Sequence, residues 1–181
     1  MVKIEIGRVV NIPEGVVVGI AGGVVSVKKG DKEIKREFNL GKLKLEKTEK
    51  EIKITCKNGT KREGKLAGTI GAHIKNMMRG VAEGFVYKLE VCNVHFPMNV
   101  KAEGDKIIVK SFLGESVERC AKILPGVSVD IKGNEITISS SSREEAGQTA
   151  ANIEGSTRLN NRDRRIFQDG IFITEKPGRE L

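Results

Sequence analysis

Residues 126–139 read GVSVDIKGNEITIS. Val127, Val129 and Ile131 alternate with Ser128 and Asp130, Gly133-Asn134 intervenes, and Ile136 and Ile138 alternate with Thr137 and Ser139. Alternation on both sides of a two-residue Gly-Asn break predicts an antiparallel hairpin with one buried face. Working outward, EITIS (135–139) has a counterpart 84 positions earlier in EIKIT (51–55). Ile12-Pro13 answers Phe96-Pro97, and Gly30 answers Gly114, at the same separation. Three landmarks at one offset predict that the second half repeats the first. Such a unit is too long for a solenoid repeat. The expected fold is therefore α+β: two tandem copies of a small antiparallel β-sheet with a packed α-helix. The stretch GFVYKLEV (84–91) reads as a strand that runs into His95-Phe96-Pro97 without a flexible linker, so the copies are expected to span 1–83 and 84–181.

Each copy has one helix. Thr60 and Glu63 stand at capping-box spacing, and Leu66, Ile70, Ile74, Met77 and Val81 recur at helical intervals. Gly80 and Gly84 bracket the end of this helix. Gly68-Thr69-Ile70-Gly71 has the form of a KH-domain GxxG, but it lies within the periodic run and is read as close helix packing. His73 has no acid or second histidine nearby and reads as a surface or hydrogen-bonded side chain. In the second copy Ser142 and Glu145 repeat the capping spacing, and Ala146, Ala150 and Ile153 form a small-residue stripe suited to close packing on a sheet. Capping also accounts for the serines at 139–142, which lack the GxSxG setting of a nucleophile.

Around these helices the chain is strand-rich. Val2, Ile4 and Ile6 alternate with polar residues, Pro13-Glu14-Gly15 is a turn, and the glycines at 19–23 separate Val16-Val17-Val18 from Val24-Val25-Ser26-Val27. These glycines lack the GK[ST] ending of a phosphate-binding loop and read as a hairpin turn. Leu43, Leu45, Ile52 and Ile54 alternate with lysines and Thr55, predicting strands with a wet basic face. Those lysines suit either protection of a sheet edge or contact with RNA. Asn58-Gly59 reads as a turn.

The charge balance points to a polyanion. The 181 residues carry a net charge of +8. Residues 28–62 hold 13 Lys/Arg against 6 Asp/Glu, whereas residues 91–181 hold 13 of each. The second half can bind phosphate only through a local cluster. With 4% aromatic residues and no Trp there is little material for stacking bases, so phosphates, riboses and folded shape are the expected targets. Cys56, Cys92 and Cys120 are too widely spaced for a zinc site or a disulfide framework and read as core thiols. No apolar run approaches the roughly 20 residues needed to cross a bilayer. The N-terminal MVKIEIGRVV lacks a secretory signal's apolar segment, which makes the cytoplasm the expected compartment.

The local cluster lies in residues 155–176, GSTRLNNRDRRIFQDGIFITEK. Arg158, Arg162, Arg164 and Arg165 fall within eight positions, against one acid, Asp163. Asn160 and Asn161 favour a turn there, and Gly170 opens the strand Ile171-Phe172-Ile173. A cationic loop is thus expected between a helix and a strand. It is either a solvated turn or a phosphate-binding element, since guanidinium forks match phosphate oxygens. From helix cap to strand glycine the second copy is four residues longer than the first (142 to 170 against 60 to 84), and the extra length falls around this loop. Insertions on a repeated scaffold commonly carry function.

The same stretches resemble the protein-six family of the large ribosomal subunit. The motifs are GAHIKNMMRGVAEGFVYKLEV (71–91), HFPMNV (95–100), FLGE (112–115), GQTAA (147–151) and RRIFQDGIFITEK (164–176). HIKNM, HFPMNV and DGIFITEK are similar to the archaeal and eukaryotic branch. The resemblance implies tandem sheet-and-helix copies, binding to 23S-type ribosomal RNA near the sarcin-ricin loop and the stalk base, neighbouring large-subunit proteins, and proximity to docking translational GTPases. It implies a place in the cytoplasmic ribosome, no catalysis and no cofactor. It also makes the C-terminal copy a principal RNA anchor. The expected RNA contacts are Arg158, Arg162, Arg164 and Arg165 to phosphate and Asn160 and Asn161 to ribose or base edges. Lys176 and Arg179 extend the contact into the tail, with Lys75, Asn76 and Arg79 on the first helix as further candidates. The readings set against it are an extra-ribosomal RNA-binding or chaperone-like module, a protein-interaction module whose basic loop meets an acidic partner, and an enzyme. Against the enzyme, the sequence offers no paired His/carboxylate spacing, metal-ligand spacing or nucleotide fingerprint.

Overall fold

A computed structural model describes residues 4–30, 32–48 and 50–180. Val2, the first of the alternating N-terminal apolar positions, lies outside them. The chain divides into two compact units, Met1–Glu83 and Gly84–Leu181.

In the first unit β1 (Ile4–Asn11) pairs with β6 (Glu51–Gly59), which also pairs with β5 (Lys44–Lys47). A second sheet joins β2 (Val17–Ala21), β3 (Val24–Lys29) and β4 (Lys32–Glu37) in order. Every pairing is antiparallel. Helix α1 (Lys61–Ala82) packs on both sheets, and Ile70 and Ile74 reach a core shared with Val18, Val25, Ile52 and Ile54. Fully burying each such side chain contributes about 1.5–3 kcal/mol. Thr60 caps α1 and forms the predicted box with Glu63, and Gly84 follows its C-terminus at φ +79°. Gly71 brings the helix close to the sheet: a Cβ there would lie 3.6 Å from Ile54 and Val10. His73 has partners, its Nδ1 lying 3.3 Å from the Arg36 guanidinium.

The second unit repeats this plan. Its counterparts of β1, β5 and β6 are β7 (Phe85–Cys92), β11 (Val127–Lys132) and β12 (Glu135–Ser140), in the matching order. The second sheet recurs as β8 (Asn99–Glu103), β9 (Lys106–Lys110) and β10 (Arg119–Lys122). Helix α2 (Arg143–Ser156) buries Ala146, Ala150 and Ile153. Ser142 caps it by accepting the Glu145 N–H, and Ser140 Oγ donates to the Gly126 carbonyl. A hairpin is added: after α2 the chain returns as β13 (Gly170–Lys176), which pairs along the free side of β7 and turns into β14 (Arg179–Glu180).

The α+β class and the tandem antiparallel plan hold, with each unit carrying two sheets instead of one. Two local expectations are corrected. Asn58-Gly59 is not a turn; both residues belong to β6, where the pairing shifts between Ile4 and Ile6, so the dipeptide sits at a β-bulge. Cys120 is not a core thiol. It faces solvent on β10, where alternation turns Ala121 inward, while Cys56 is buried and Cys92 half-buried. No helix is long and apolar enough to cross a membrane among the described residues.

Candidate nucleic-acid interface

The arginine-rich segment spans 157–169, from the C-cap of α2 to the residue before β13. Its ends are tied together. Thr157, buried at the neck, donates through Oγ1 to the Glu154 carbonyl at 3.2 Å and accepts the Ile171 N–H at 2.9 Å. Glu154 Oε1 accepts the Ile173 N–H at 3.2 Å. The outgoing chain is held by Arg119, whose Nη1 donates to the Ser156 and Arg158 carbonyls at 3.0 and 3.1 Å. Glu115 grips the other side of that guanidinium at 2.7 and 2.8 Å, and the Phe112 ring lies beneath it at 4.3 Å.

The returning chain is held by Asp169, which is 1% exposed. Its Oδ1 accepts the N–H groups of Val94 and His95 at 2.7 and 2.8 Å, and its Oδ2 lies 2.6 Å from His95 Nδ1. Burial pushes the Asp169 carboxyl up, but these hydrogen bonds outweigh burial and hold it at about 2. His95 stacks on Phe167 at 5.0 Å between centroids, and the Arg162 guanidinium lies over the other part of this stack, 4.8 Å from the Phe167 ring. Arg162 is thus placed on an aromatic support by a cation–π contact.

The four arginines differ. All are exposed. Arg165 is spent on Asp163, with Nε 3.2 Å from Oδ1 and Nη2 3.1 Å from Oδ2, and this contact together with the Arg165 N–H lowers the Asp163 carboxyl. Arg158, Arg162 and Arg164 make no ion pair among the described residues. Arg158 and Arg164 border a cavity of about 530 Å³ under the loop, floored by Leu159, Ile171 and Phe172. Asn160 and Asn161 are exposed, and Asn161 takes the left-handed φ of +57° that turns the loop. Lys176 and Arg179 face each other across the β13–β14 hairpin, both exposed.

The remaining candidates lie on α1 in the first unit. Lys75 is exposed beside Arg8, Asn76 is half-buried, and Arg79 pairs with Glu83 at 3.2 Å. Nothing in the sequence reading singled out Arg8, Arg119, His95, Phe167 or Asp169. Glu115 and Arg119, four positions apart, and the Asp169-Gly170 dipeptide were the available signals, but their partners lie up to 75 residues away.

Comparison with known proteins shows the family. Residues 12–84 and 96–170 match the family model described as Ribosomal protein L6. The large ribosomal subunit protein uL6 of Methanosarcina mazei is 43% identical over 176 residues, covering 97% of this chain and 99% of that protein. The uL6 of Methanococcus vannielii is 42% identical over 172 residues, covering 95% and 94%. Fold and relatives define the class: a structural ribosomal protein, not an enzyme. The chain belongs to the ribosomal protein L6 family, and its similarity to these archaeal relatives fits the branch read from HIKNM, HFPMNV and DGIFITEK.

Proposed function

We propose that this chain anchors to 23S-type ribosomal RNA through the loop at 157–169, near the sarcin-ricin loop and the stalk base, and so supports the region where translational GTPases dock. The observation that carries the reading is the bracing of the loop by hydrogen bonds at both ends. Phosphate recognition needs donors held in fixed geometry, and here the backbone of the cationic segment is tied at its start by Thr157 and Arg119 and at its end by Asp169, while three guanidiniums stay exposed without an ion pair among the described residues. A merely solvated charged turn has no use for that bracing. Arg158, Arg162 and Arg164 contact phosphates, Arg165 contributes in exchange with Asp163, Asn160 and Asn161 reach ribose or base edges, and Lys176 and Arg179 extend the surface. Lys75, Asn76 and Arg79 offer a weaker contact from the first unit. Residues 1–83 and 84–181 act as a lysine-rich module and an anchoring module, respectively.

Ultraviolet crosslinking of assembled large subunits, with the crosslinked nucleotides sequenced, tests the placement. Crosslinks from peptides covering 157–169 to the sarcin-ricin side of the RNA are expected. Crosslinks confined to distant RNA domains would remove the stalk-base assignment.

A further inference from the structure

The two units finish their first sheets differently. In the second, the strand that follows the helix comes back as β13 and pairs along the free side of β7, from Gly170 opposite Cys92 to Glu175 opposite Lys88. The edge that β13 creates is itself partly closed, because Glu154 of α2 and its C-cap Thr157 accept the Ile173 and Ile171 N–H groups, respectively. In the first unit the counterpart of β7 is β1, and the strand that follows α1 is β7, which is committed to the second unit's sheet. β1 therefore has β6 as its one strand neighbour, and its outer edge stays open among the described residues.

Natural sheets blunt such edges with lysines, covering side chains or short strands. Two other outer strands of the first unit follow that rule: Lys32, Lys35 and Arg36 stud β4, and Lys44 and Lys47 stud β5, while β2 carries no charge and has its Val18 carbonyl met by Lys47 Nζ at 2.6 Å. Over Gly7–Asn11, paired without a break to β6, the outer strand β1 offers GRVVN with a single charge. Val9 is 56% exposed there. Beside it runs a groove of about 560 Å³ between Arg8–Asn11 and the Gly68, Gly71 and Ala72 face of α1, with Arg8 and Lys75 as its cations.

We propose that the β1 edge is a docking site for an extended peptide segment of a neighbouring protein, added as a strand where β13 lies in the second unit. A strand edge presents donors and acceptors in alternation, so a polypeptide backbone satisfies both. Phosphates accept only and would leave the carbonyls unmet. Arg8 selects a segment carrying Asp or Glu, and the exposed Val9 selects an apolar residue beside it.

The test places a photo-crosslinking phenylalanine analogue at position 9 of the full chain in cells, with the same group at Arg164 as a control for photolysis. Crosslinked peptides are sequenced, and amide hydrogen exchange of the β1 peptide is compared between free chain and purified large subunit. The expected result is a crosslink to one acidic segment of one protein, slower β1 exchange in the subunit, and a roughly tenfold drop in that crosslink in Arg8→Glu, where attraction becomes repulsion. A crosslink to RNA alone, no crosslink while position 164 reacts, or unchanged β1 exchange each overturns the proposal. None of these bears on the arginine loop, whose RNA contacts are read separately at position 164.

Discussion

At the scale of single residues, Asp169 has the most demanding position in the loop. Its carboxyl is depressed from an ordinary 3.8 to about 2 by the N–H groups and ring of the 94–95 segment, against the opposing effect of burial. A carboxyl depressed in the folded state contributes stability at pH above its unfolded value and loses it as pH falls through the folded value. The difference corresponds to about 2 kcal/mol, fully present above roughly pH 5 and lost between about pH 4 and 2. Urea titrations of Asp169→Asn should therefore show a deficit of about 2 kcal/mol near neutrality that closes as pH falls towards 2. A deficit independent of pH would mean that the carboxylate charge is not what holds the segment. The arginines make a second prediction at this scale. Arg164→Ala plus Arg165→Ala weakens RNA binding without unfolding the chain, and Arg164 carries more of the effect because Arg165 is shared with Asp163. For every phosphate left without its arginine, the slope of log affinity against log salt falls by roughly 0.7–0.9. Intact affinity with an intact circular dichroism spectrum would exclude this loop from the RNA contact.

At the scale of elements, Arg119 on β10 shows how a strand can govern a loop it does not belong to. Its guanidinium spans Glu115, the Phe112 ring and the carbonyls of Ser156 at the end of α2 and Arg158 in the loop, a geometry that a lysine cannot reproduce. Arg119→Lys should lower RNA affinity while leaving the salt slope unchanged, because charge is retained and only the bracing is removed. A slope reduced by nearly one unit would instead make Arg119 a phosphate contact. The packing of α2 gives a paired prediction. A Cβ at Gly147 would stand 2.9 Å from Tyr87 Oη and 3.3 Å from Cζ, on a ring that β7 holds buried. Gly147→Ala should cost about 1–3 kcal/mol by overpacking, outweighing the gain in helix propensity. Gly155→Ala meets nothing within 4 Å and should stabilise by up to about 1 kcal/mol. Thermal melts of the two variants should move in opposite directions, and equal shifts would show that the helix can move off the sheet.

At the scale of the whole molecule, the two cores are separate: the buried cluster of the first unit runs from Val16 to Val81, and that of the second from Phe85 to Ile171. A fragment covering 84–181 should fold cooperatively and keep most of the RNA affinity of the full chain, checked by thermal unfolding and a binding titration. A molten fragment would mean that the second core needs the first. Much of this plan is local and could be read along the chain. The hairpin at Gly133-Asn134, the helix caps at Thr60 and Ser142 and the buried faces of both helices follow from periodicity and from side chains a few positions apart. The common offset of EIKIT and EITIS likewise gave the tandem plan, because a repeated fold leaves its spacing in the chain. What only the tertiary structure decided is where distant segments meet. It split each copy into two sheets, placed Asn58-Gly59 in a bulge instead of a turn, and brought His95 to Asp169 across 74 positions. It also extended one sheet with β13 while leaving the edge of β1 without a second strand among the described residues. By itself the sequence determined which segments become strands and helices and that the set occurs twice, since those are short-range properties. Which strand lies beside which, and which arginine is braced, paired or exposed, depends on contacts between residues far apart in sequence, and no local pattern encodes them.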